Sequence, residues 1–426
     1  MYYGWLIVGI VMVGAFLGAG LNNVTMAVVL KPLSEDQGWS RTLTSGAITA
    51  GTLLAGMISP WIGRLADRIG PRLLIPFGAA AVGTLAILLS QVSDVGHFYA
   101  AYVPARAMAD TLVCGVVPLT AVANWFHVKR PRVIGMVLMA VPLGSAGLAL
   151  MYQRLIVYGS WRLAFLALGL LLWGLAVVPP LLLLRRQPED LGLLPDGAAP
   201  APARQRLAAG TTAPPAAAEQ SWRLTEAMRT PALWLIVISS ALATIATGGI
   251  AFHVVAYYTD VQVRPDLAAG ALSLLALSGA LGSTLWGLVA ERVPPRRVSV
   301  ALLLTSAVIV LLLLQVRTPL LAYVGAILFG LVARGGLMLT QVLLARYYGR
   351  RSFGAISGFA DPFGKTGLGL GPLSAAAAFD LTGSYQIVFV LFIGAYLVAA
   401  GLVFLARRPT RALPALAPRS AVARGS

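Results

Sequence analysis

Twelve long apolar runs, separated by charged or turn residues, constrain this chain more than any other feature of its sequence. A helix that crosses a bilayer needs about 20 mostly apolar residues. Only 11% of the residues are charged, whereas a soluble domain has ~25%, so a soluble fold could not cover so much apolar surface. The runs also lack the alternation of a membrane β-barrel. We therefore predict an all-α membrane protein with twelve transmembrane helices. The predicted helices span residues 5–30, 43–62, 73–93, 98–123, 133–157, 162–184, 232–257, 267–289, 298–315, 320–345, 353–378 and 385–406.

Two stretches of the chain have a different composition. Residues 187–221 are rich in alanine and proline and contain no aromatic residue, and residues 409–426 are similar. Such composition is typical of flexible segments. The predicted organisation is an N-terminal six-helix bundle at 1–186, a cytoplasmic flexible linker at 187–221, a C-terminal six-helix bundle at 222–408 and a cytoplasmic tail at 409–426.

The formal net charge of +17 is unevenly distributed along the chain. If the N-terminus is cytoplasmic, 23 of the 32 Lys and Arg residues fall in cytoplasmic connections and the tail, and six fall in outer connections. Cytoplasmic loops of membrane proteins carry such an excess. We therefore predict that both termini are cytoplasmic and that no nucleic acid is bound. The end of the molecule that carries these loops is called the basic end below.

Few residues are available for metal binding or catalysis. The chain has a single cysteine, Cys114, and three scattered histidines, and it contains no phosphate-binding G-x-x-x-x-G-K-[ST] motif. A polytopic membrane enzyme would need a catalytic cluster at one membrane face. We predict no metal, no cofactor and no enzymatic activity, and transport that is not driven by ATP.

The two halves of the chain repeat each other. Residues 59–72 match residues 283–296, and residues 140–150 match residues 360–370 with six of eleven positions identical. These matches occur in the same order on both sides of the predicted linker. A duplicated six-helix unit of this kind places a substrate site between the halves, near the middle of the membrane.

The strongest motif is G-R-L-A-D-R-I-G-P-R at 63–72, with a degenerate copy, G-L-V-A-E-R-V-P-P-R, at 287–296. With this motif the chain resembles the major facilitator superfamily. The resemblance implies two bundles that alternate access, with helices 1, 4, 7 and 10 lining the cavity. Asp67 and Glu291, at cytoplasmic helix ends, could each hold the N-terminus of a helix in the other half; ordinary loop charge is the alternative. The gating residues implied are Gly63, Asp67, Arg68, Gly70 and Arg72, with Gly287, Glu291 and Arg292 in the copy.

Other segments resemble monocarboxylate transporters and the oxalate:formate antiporter. They are Y-Y-G-W at 2–5, the stretch N-W-F-H-V-K-R-P-R at 124–132, P-E-D-L-G-L-L-P-D-G at 188–197 and G-R-R-S-F-G at 349–354. The resemblance implies a carboxylate substrate. It also matches Lys365, 20 residues before Tyr385, to the helix-11 lysine of the antiporter. In helix 8 those transporters carry an arginine, but this chain has Ser283, which leaves Arg334 as a candidate second cation.

Away from their ends, the predicted helices contain five charged residues, and these charges sum to +1. Each costs ~3 kcal/mol or more at the bilayer centre, so they should face an interior cavity. The positive balance favours an anionic substrate. We predict that Arg334 and Lys365 bind it; alternatively, Arg334 pairs with Asp110 across the cavity. The other three form ion pairs or carry protons: Arg106, Asp110 and Asp361.

Asn22, Asn23 and His253 are further candidates for substrate contact, although polar residues in membrane helices often bond neighbouring helices instead. We predict a monomeric secondary active transporter of the inner or plasma membrane that moves a small organic anion, specifically a monocarboxylate. Its coupling would be proton symport, through Asp110, Asp361 or His253, or exchange with a counter-anion. Efflux antiport of cationic or amphipathic compounds is the alternative, and the positive intramembrane balance disfavours it.

Overall fold

The computed structural model describes residues 2–197, 222–382 and 384–410. The rest of the predicted linker and tail lies outside the described residues. The first half contains α1a (Tyr3–Gly18), α1b (Asn23–Gln37), α2 (Arg41–Ile69), α3 (Pro71–Leu89), α4a (Val95–Met108), α4b (Val116–Trp125), α5 (Arg130–Tyr158), α6a (Trp161–Leu171) and α6b (Val178–Leu183). The second half contains α7 (Pro231–Asp260), α8 (Pro265–Arg292), α9 (Pro295–Leu313), α10 (Pro319–Tyr348), α11 (Phe353–Thr382) and α12 (Tyr385–Leu405).

The predicted all-α membrane fold is confirmed. Among the described residues, eleven helical spans are long and apolar enough to cross a membrane. The remaining long helix, α11, has 30 residues and carries Asp361 and Lys365 within it. The helix α2 continues to Ile69, beyond the apolar run predicted at 43–62, because the charged motif extends the helix past the apolar segment.

The two halves meet along two pairs of helices. Helix α2 packs against α11, and α5 packs against α8. Helices α3 and α6a pack together in the first half, and α9 packs against α12 in the second. These four helices therefore position any group that lies between the two halves.

Glycines allow these helices to approach each other closely. A Cβ atom on Gly358 of α11 would lie 2.5 Å from the Ser59 carbonyl oxygen of α2, and one on Gly287 of α8 would lie 2.7 Å from the Pro131 carbonyl oxygen of α5. Real Cβ atoms essentially never come so close to backbone. These two glycines thus permit close backbone contact between the halves.

Replacing Gly287 by valine should therefore block closure of the basic end. The added side chain meets rigid backbone of α5, so the two halves must separate there, and transport should fall by about tenfold or more, as overpacking typically costs ~1–3 kcal/mol. Uptake into proteoliposomes measures the effect. Gly401→Val is the matched control, because nothing lies within 4 Å of a Cβ at that position. Equal uptake by both variants would contradict the prediction.

Three helices of the first half are interrupted along their length. Helix 6 has a π-helical segment, Leu172–Val177, between α6a and α6b, and helices 1 and 4 are broken as well. Helix α1a gives way to a 3-10 turn, Ala19–Leu21, and α4a is followed by a π-helical segment, Ala109–Val113, before α4b begins. The carbonyl groups freed in the break of helix 1 accept hydrogen bonds from Tyr102, to Leu21 at 2.8 Å, and from Tyr152, to Gly20 at 2.9 Å. Broken membrane helices and π-bulges often occur at binding sites.

Candidate functional site

Four of the predicted intramembrane charges form one cluster between the halves. The Lys365 ammonium of α11 lies 2.8 Å from a carboxylate oxygen of Asp361, one turn earlier on the same helix. It also lies 3.5 Å from Asp110, which belongs to the π-helical segment of the first half. Asp110 in turn lies 3.2 Å from the Arg106 guanidinium. Lys365 is therefore shared by two carboxylates, one from each half of the molecule.

The cluster is largely removed from solvent. The side chains of Arg106 and Lys365 are 9% and 17% exposed, and those of Asp110 and Asp361 are 21% and 24% exposed. Two cations and two carboxylates balance in charge, which lowers the cost of keeping them in the membrane. The intrahelical pairs Arg106–Asp110 and Asp361–Lys365 both form, and the contact between Asp110 and Lys365 joins them.

Helix α2 passes beside the lysine. A Cβ atom on Gly56 would lie 3.8 Å from Cδ of Lys365, an ordinary van der Waals distance. The cluster thus lies where α2, α4a and α11 meet, at the contact between the halves that the duplicated sequence predicts for a substrate site.

Arg334, the other predicted anion ligand, lies on α10. Its side chain is outside the part of the chain that the structure describes, so its role stays a prediction. Ser283, which stands where related transporters carry arginine, is 3% exposed and donates a hydrogen bond to the Gly135 carbonyl oxygen at 3.3 Å. In this chain that position forms a contact between α8 and α5.

Asn22 and Asn23 lie at the break in helix 1. Asn22 caps α1b, because its side-chain oxygen accepts from the backbone N–H groups of Val24 and Thr25 at 3.0 and 3.2 Å. Its amide nitrogen donates to Ser145 of α5. Asn23 is the first residue of α1b and is exposed. The structure therefore gives Asn22 a helix-capping position and leaves Asn23 accessible.

His253 is buried within the second half. Its Nδ1 lies 3.1 Å from the Tyr385 hydroxyl of α12, and its Nε2 lies 3.1 Å from the Pro372 carbonyl oxygen of α11. Because a carbonyl oxygen can only accept, Nε2 must carry a proton and donate. Both ring nitrogens are engaged, so His253 joins three helices and lies apart from the charge cluster.

Asp67 of the predicted gating motif contacts the second half at the basic end. Its two carboxylate oxygens accept hydrogen bonds from the backbone N–H groups of Gly354 and Ala355, at 2.9 and 2.7 Å. These groups belong to the first turn of α11, where the helix leaves N–H groups unpaired and the dipole favours negative charge. Asp67 of the first half therefore holds the N-terminus of a helix in the second half.

The second copy of the motif uses a side-chain pair instead. Glu291 of α8 lies 2.7 Å from the Arg132 guanidinium in the first turn of α5. Gly70 has φ +92°, a conformation that side chains rarely adopt, and this tight link between α2 and α3 explains the glycine. Three other motif residues are exposed at the basic end: Arg68, Arg72 and Arg292.

The described beginning of the predicted linker is folded against the bundle. The Asp196 carboxylate accepts hydrogen bonds from the three backbone N–H groups of residues 127–129, at 2.7–3.0 Å, just before α5 begins. Glu189 lies 2.5 Å from Arg350 of the second half. Residues 187–197 are therefore part of the folded unit here, because charged side chains fix them to both halves.

Tyr2 secures the same segment. Its hydroxyl lies within hydrogen-bonding distance of the carbonyl oxygens of Trp125 and Leu194, at 3.0 and 3.2 Å, and donates its proton between them. Burial, with the Asp196 carboxylate nearby, raises the pKa of Tyr2 to about 12. The hydroxyl therefore remains a protonated donor at physiological pH.

Sequence reasoning missed three of these contacts. No pattern joined Asp110 to Lys365, because they lie in different halves. Glu189 and Arg350 each lie in a segment that carries the resemblance to carboxylate transporters, so a signal was present for that pair. The capping of α5 by Asp196 had no local signal, because about 70 residues separate the carboxylate from the N–H groups it accepts.

Two bundles in contact along α2–α11 and α5–α8, with ion pairs buried between them, define a multi-pass membrane transporter. The family model described as Major Facilitator Superfamily matches residues 10–279 and 254–424. The chain therefore belongs to the major facilitator superfamily.

Several known proteins are similar to this chain. The "Probable anion transporter 4, chloroplastic" of Arabidopsis thaliana is 30% identical over 128 residues, which cover 29% of this chain and 24% of that protein. An "MFS-type transporter" of Gibberella moniliformis is 27% identical over 141 residues, covering 32% and 33%. The chain thus spans a third or less of the length of these curated relatives.

Solved structures show the same fold. The human organic anion transporter MFSD10 (TETRAN) superposes with a TM-score of 0.71 at 16% identity, covering 95% of this chain and all of that one. The transporter FucP in its outward conformation gives a TM-score of 0.71 at 13% identity, covering 96% and 100%. At these identities the likeness concerns the fold alone.

Proposed function

We propose that this protein is a secondary active transporter that moves a small organic anion, specifically a monocarboxylate, across the inner or plasma membrane by alternating access. The observation that carries the proposal is the position of Lys365. Its ammonium lies between the halves and contacts a carboxylate from each of them. A cation that already contacts carboxylates between the two halves is suited to bind the carboxylate of a substrate.

The charge balance supports an anion rather than a cation. The four clustered charges sum to zero, and Arg334 on α10 adds one positive charge to the intramembrane set. An incoming carboxylate would neutralise that excess, whereas a cationic substrate would increase it. Two similar proteins are described as anion transporters, which agrees with this proposal.

Competition for Lys365 supplies a route to alternating access. When the substrate carboxylate binds the ammonium, Asp110 loses one of its two cationic partners and the contact between the halves weakens. The halves can then separate at the basic end, where Asp67 and Glu291 must release their partners. Each of these polar contacts is a link that the transport cycle must break and form again.

Proton coupling follows from the same competition. An Asp110 carboxylate deprived of Lys365 in the membrane is costly, and taking up a proton removes its charge. Symport of a proton with the anion would then carry no net charge. FucP, whose fold is similar, is described as a fucose:proton symporter.

The proposal is tested by uptake into proteoliposomes that contain the purified full-length chain. Radiolabelled short monocarboxylates should accumulate inside when the outside is acidic, because protons then enter with the anion. A dicarboxylate and a lipophilic cation serve as comparison substrates. If an acidic interior drives accumulation of the cation, the proposal is overturned in favour of efflux antiport. If the anion moves only in exchange for internal anion, at a rate independent of the pH gradient, the protein is an anion exchanger.

The variant Asp110→Asn should uncouple transport from the proton gradient. Asparagine imitates the protonated carboxylate permanently, so concentrative uptake under an acidic exterior should be lost while exchange of internal for external substrate persists. Asp361→Asn is the comparison variant, because Asp361 is the other carboxylate that contacts Lys365 and the competing candidate for the proton carrier. If the pH response survives in Asp110→Asn and disappears in Asp361→Asn, the proton carrier is Asp361.

A further inference from the structure

A second group of cations lines a cleft at the basic end, away from the intramembrane cluster. The cleft is open to solvent and lies between the ends of α2 and α4b and the loop that precedes α11. Its polar lining comes from both halves of the molecule. These residues are Asp67, Asn124, Arg186, Gln187, Arg350 and Arg351.

The lining is strongly positive. Three arginines face a single carboxylate, Asp67, whose two oxygens already accept hydrogen bonds from the first turn of α11. Glu189 offsets part of the charge of Arg350. The positive-inside distribution explains why this end is basic. That distribution does not explain why arginines that are about 165 residues apart in the sequence line one cleft.

Two of the guanidinium groups are held in place by backbone. Arg186 donates to the Asp67 carbonyl oxygen and Arg350 donates to the Asn124 carbonyl oxygen, both at 3.1 Å. The methylene groups of Arg186 also pack beside Gly70. Because a guanidinium has five N–H donors, these contacts restrict the side chains and leave donors for a ligand.

We propose that this cleft binds a polyvalent anion that carries phosphate groups, and that the bound anion holds the basic end closed. Planar guanidinium groups pair well with phosphate oxygens, and several arginines favour a multiply charged group over a monocarboxylate. A ligand that contacts Arg186 from the first half and Arg351 from the second can bind both only while the halves are together. The anion therefore slows the transport cycle from the basic side.

Titration of the purified chain, in neutral detergent, with sodium pyrophosphate tests the proposal. Thermal stability should rise saturably, because a ligand of the folded state stabilises it, and the effect should weaken with added salt. Arg351→Gln and Arg186→Gln, which alter opposite halves, should each weaken binding by about tenfold or more. Arg297→Gln is the control, because Arg297 is exposed at the same end and does not line the cleft.

The absence of saturable stabilisation, or equal weakening in the Arg297 control, would overturn the proposal. An increase in the distance between the halves at the basic end when pyrophosphate binds, measured with spin labels, would also overturn the proposal. Nanodiscs with and without phosphatidic acid distinguish the two sources of phosphate. If the lipid competes with pyrophosphate, a headgroup occupies the cleft, and if it does not, the ligand is a free phosphorylated solute; both results support the site.

Discussion

Replacing Lys365 by glutamine should strongly weaken carboxylate binding and concentrative uptake. The ammonium lies between the halves, within reach of one carboxylate from each. Charge-assisted hydrogen bonds to such a group contribute about 1.5–3 kcal/mol, so affinity should fall by at least about tenfold and by as much as a hundredfold. Thermal stabilisation by short monocarboxylates and uptake into proteoliposomes both measure the loss.

Two companion variants separate binding from folding. Glutamine at position 365 leaves Asp361 without its cation, so the double variant Asp361→Asn/Lys365→Gln removes one charge of each sign and leaves the Arg106–Asp110 pair intact. It should fold and still bind weakly. Lys365→Arg keeps the charge and should retain partial function. Wild-type affinity in folded Lys365→Gln would show that the anion binds elsewhere.

Arg334→Gln tests the remaining prediction for the anion site. If Arg334 supplies the second cation, this variant should also lose carboxylate affinity. Arg334→Lys should bind weakly as well, because the planar fork is lost although the charge is kept. Unchanged affinity in both variants would assign the site to Lys365 without Arg334.

Replacing Asp67 by asparagine should shift the protein toward the state in which the basic end is open. The carboxylate accepts two backbone N–H groups at the N-terminus of α11, and a negative charge there contributes about 0.3–2 kcal/mol. Loss of the charge, while a side-chain oxygen is kept, should raise the population of the open state by up to about thirtyfold and slow uptake. The change concerns the conformational equilibrium, so substrate specificity should be retained.

Spin-label distances between Val128→Cys and Val293→Cys measure this population. Both residues are exposed near the basic end, one in each half, and Cys114 is the sole native cysteine, so a single further substitution gives a clean background. Asp190→Asn, an equal change of charge at an exposed position on the same side, is the control. An unchanged distance distribution in Asp67→Asn, with unchanged uptake, would contradict the gating role.

Local and compositional signals determined the architecture. Apolar runs of bilayer length predicted the helices, because a membrane forces each span to satisfy its own backbone hydrogen bonds and leaves few alternatives to a helix. The repeat of 59–72 at 283–296 predicted two bundles. Residues four apart predicted the ion pairs Arg106–Asp110 and Asp361–Lys365, because helical geometry alone brings them together.

Tertiary structure decided what depends on contacts between distant segments. The rotation and packing of the helices decide three such contacts. They bring Asp110 to Lys365, they place Asp196 at the start of α5, and they make His253 a link between three helices. The break in helix 1 also depends on tertiary contacts, since the hydroxyl groups of Tyr102 and Tyr152, on other helices, donate to the carbonyl groups that the break frees. The sequence did not predict this break or the one in helix 4. Hydropathy predicts that a helix lies in the membrane, but it does not predict which neighbouring helix each of its faces contacts. The sequence by itself therefore determined a two-bundle membrane protein with charges inside it, and only packing decided which charges share one site.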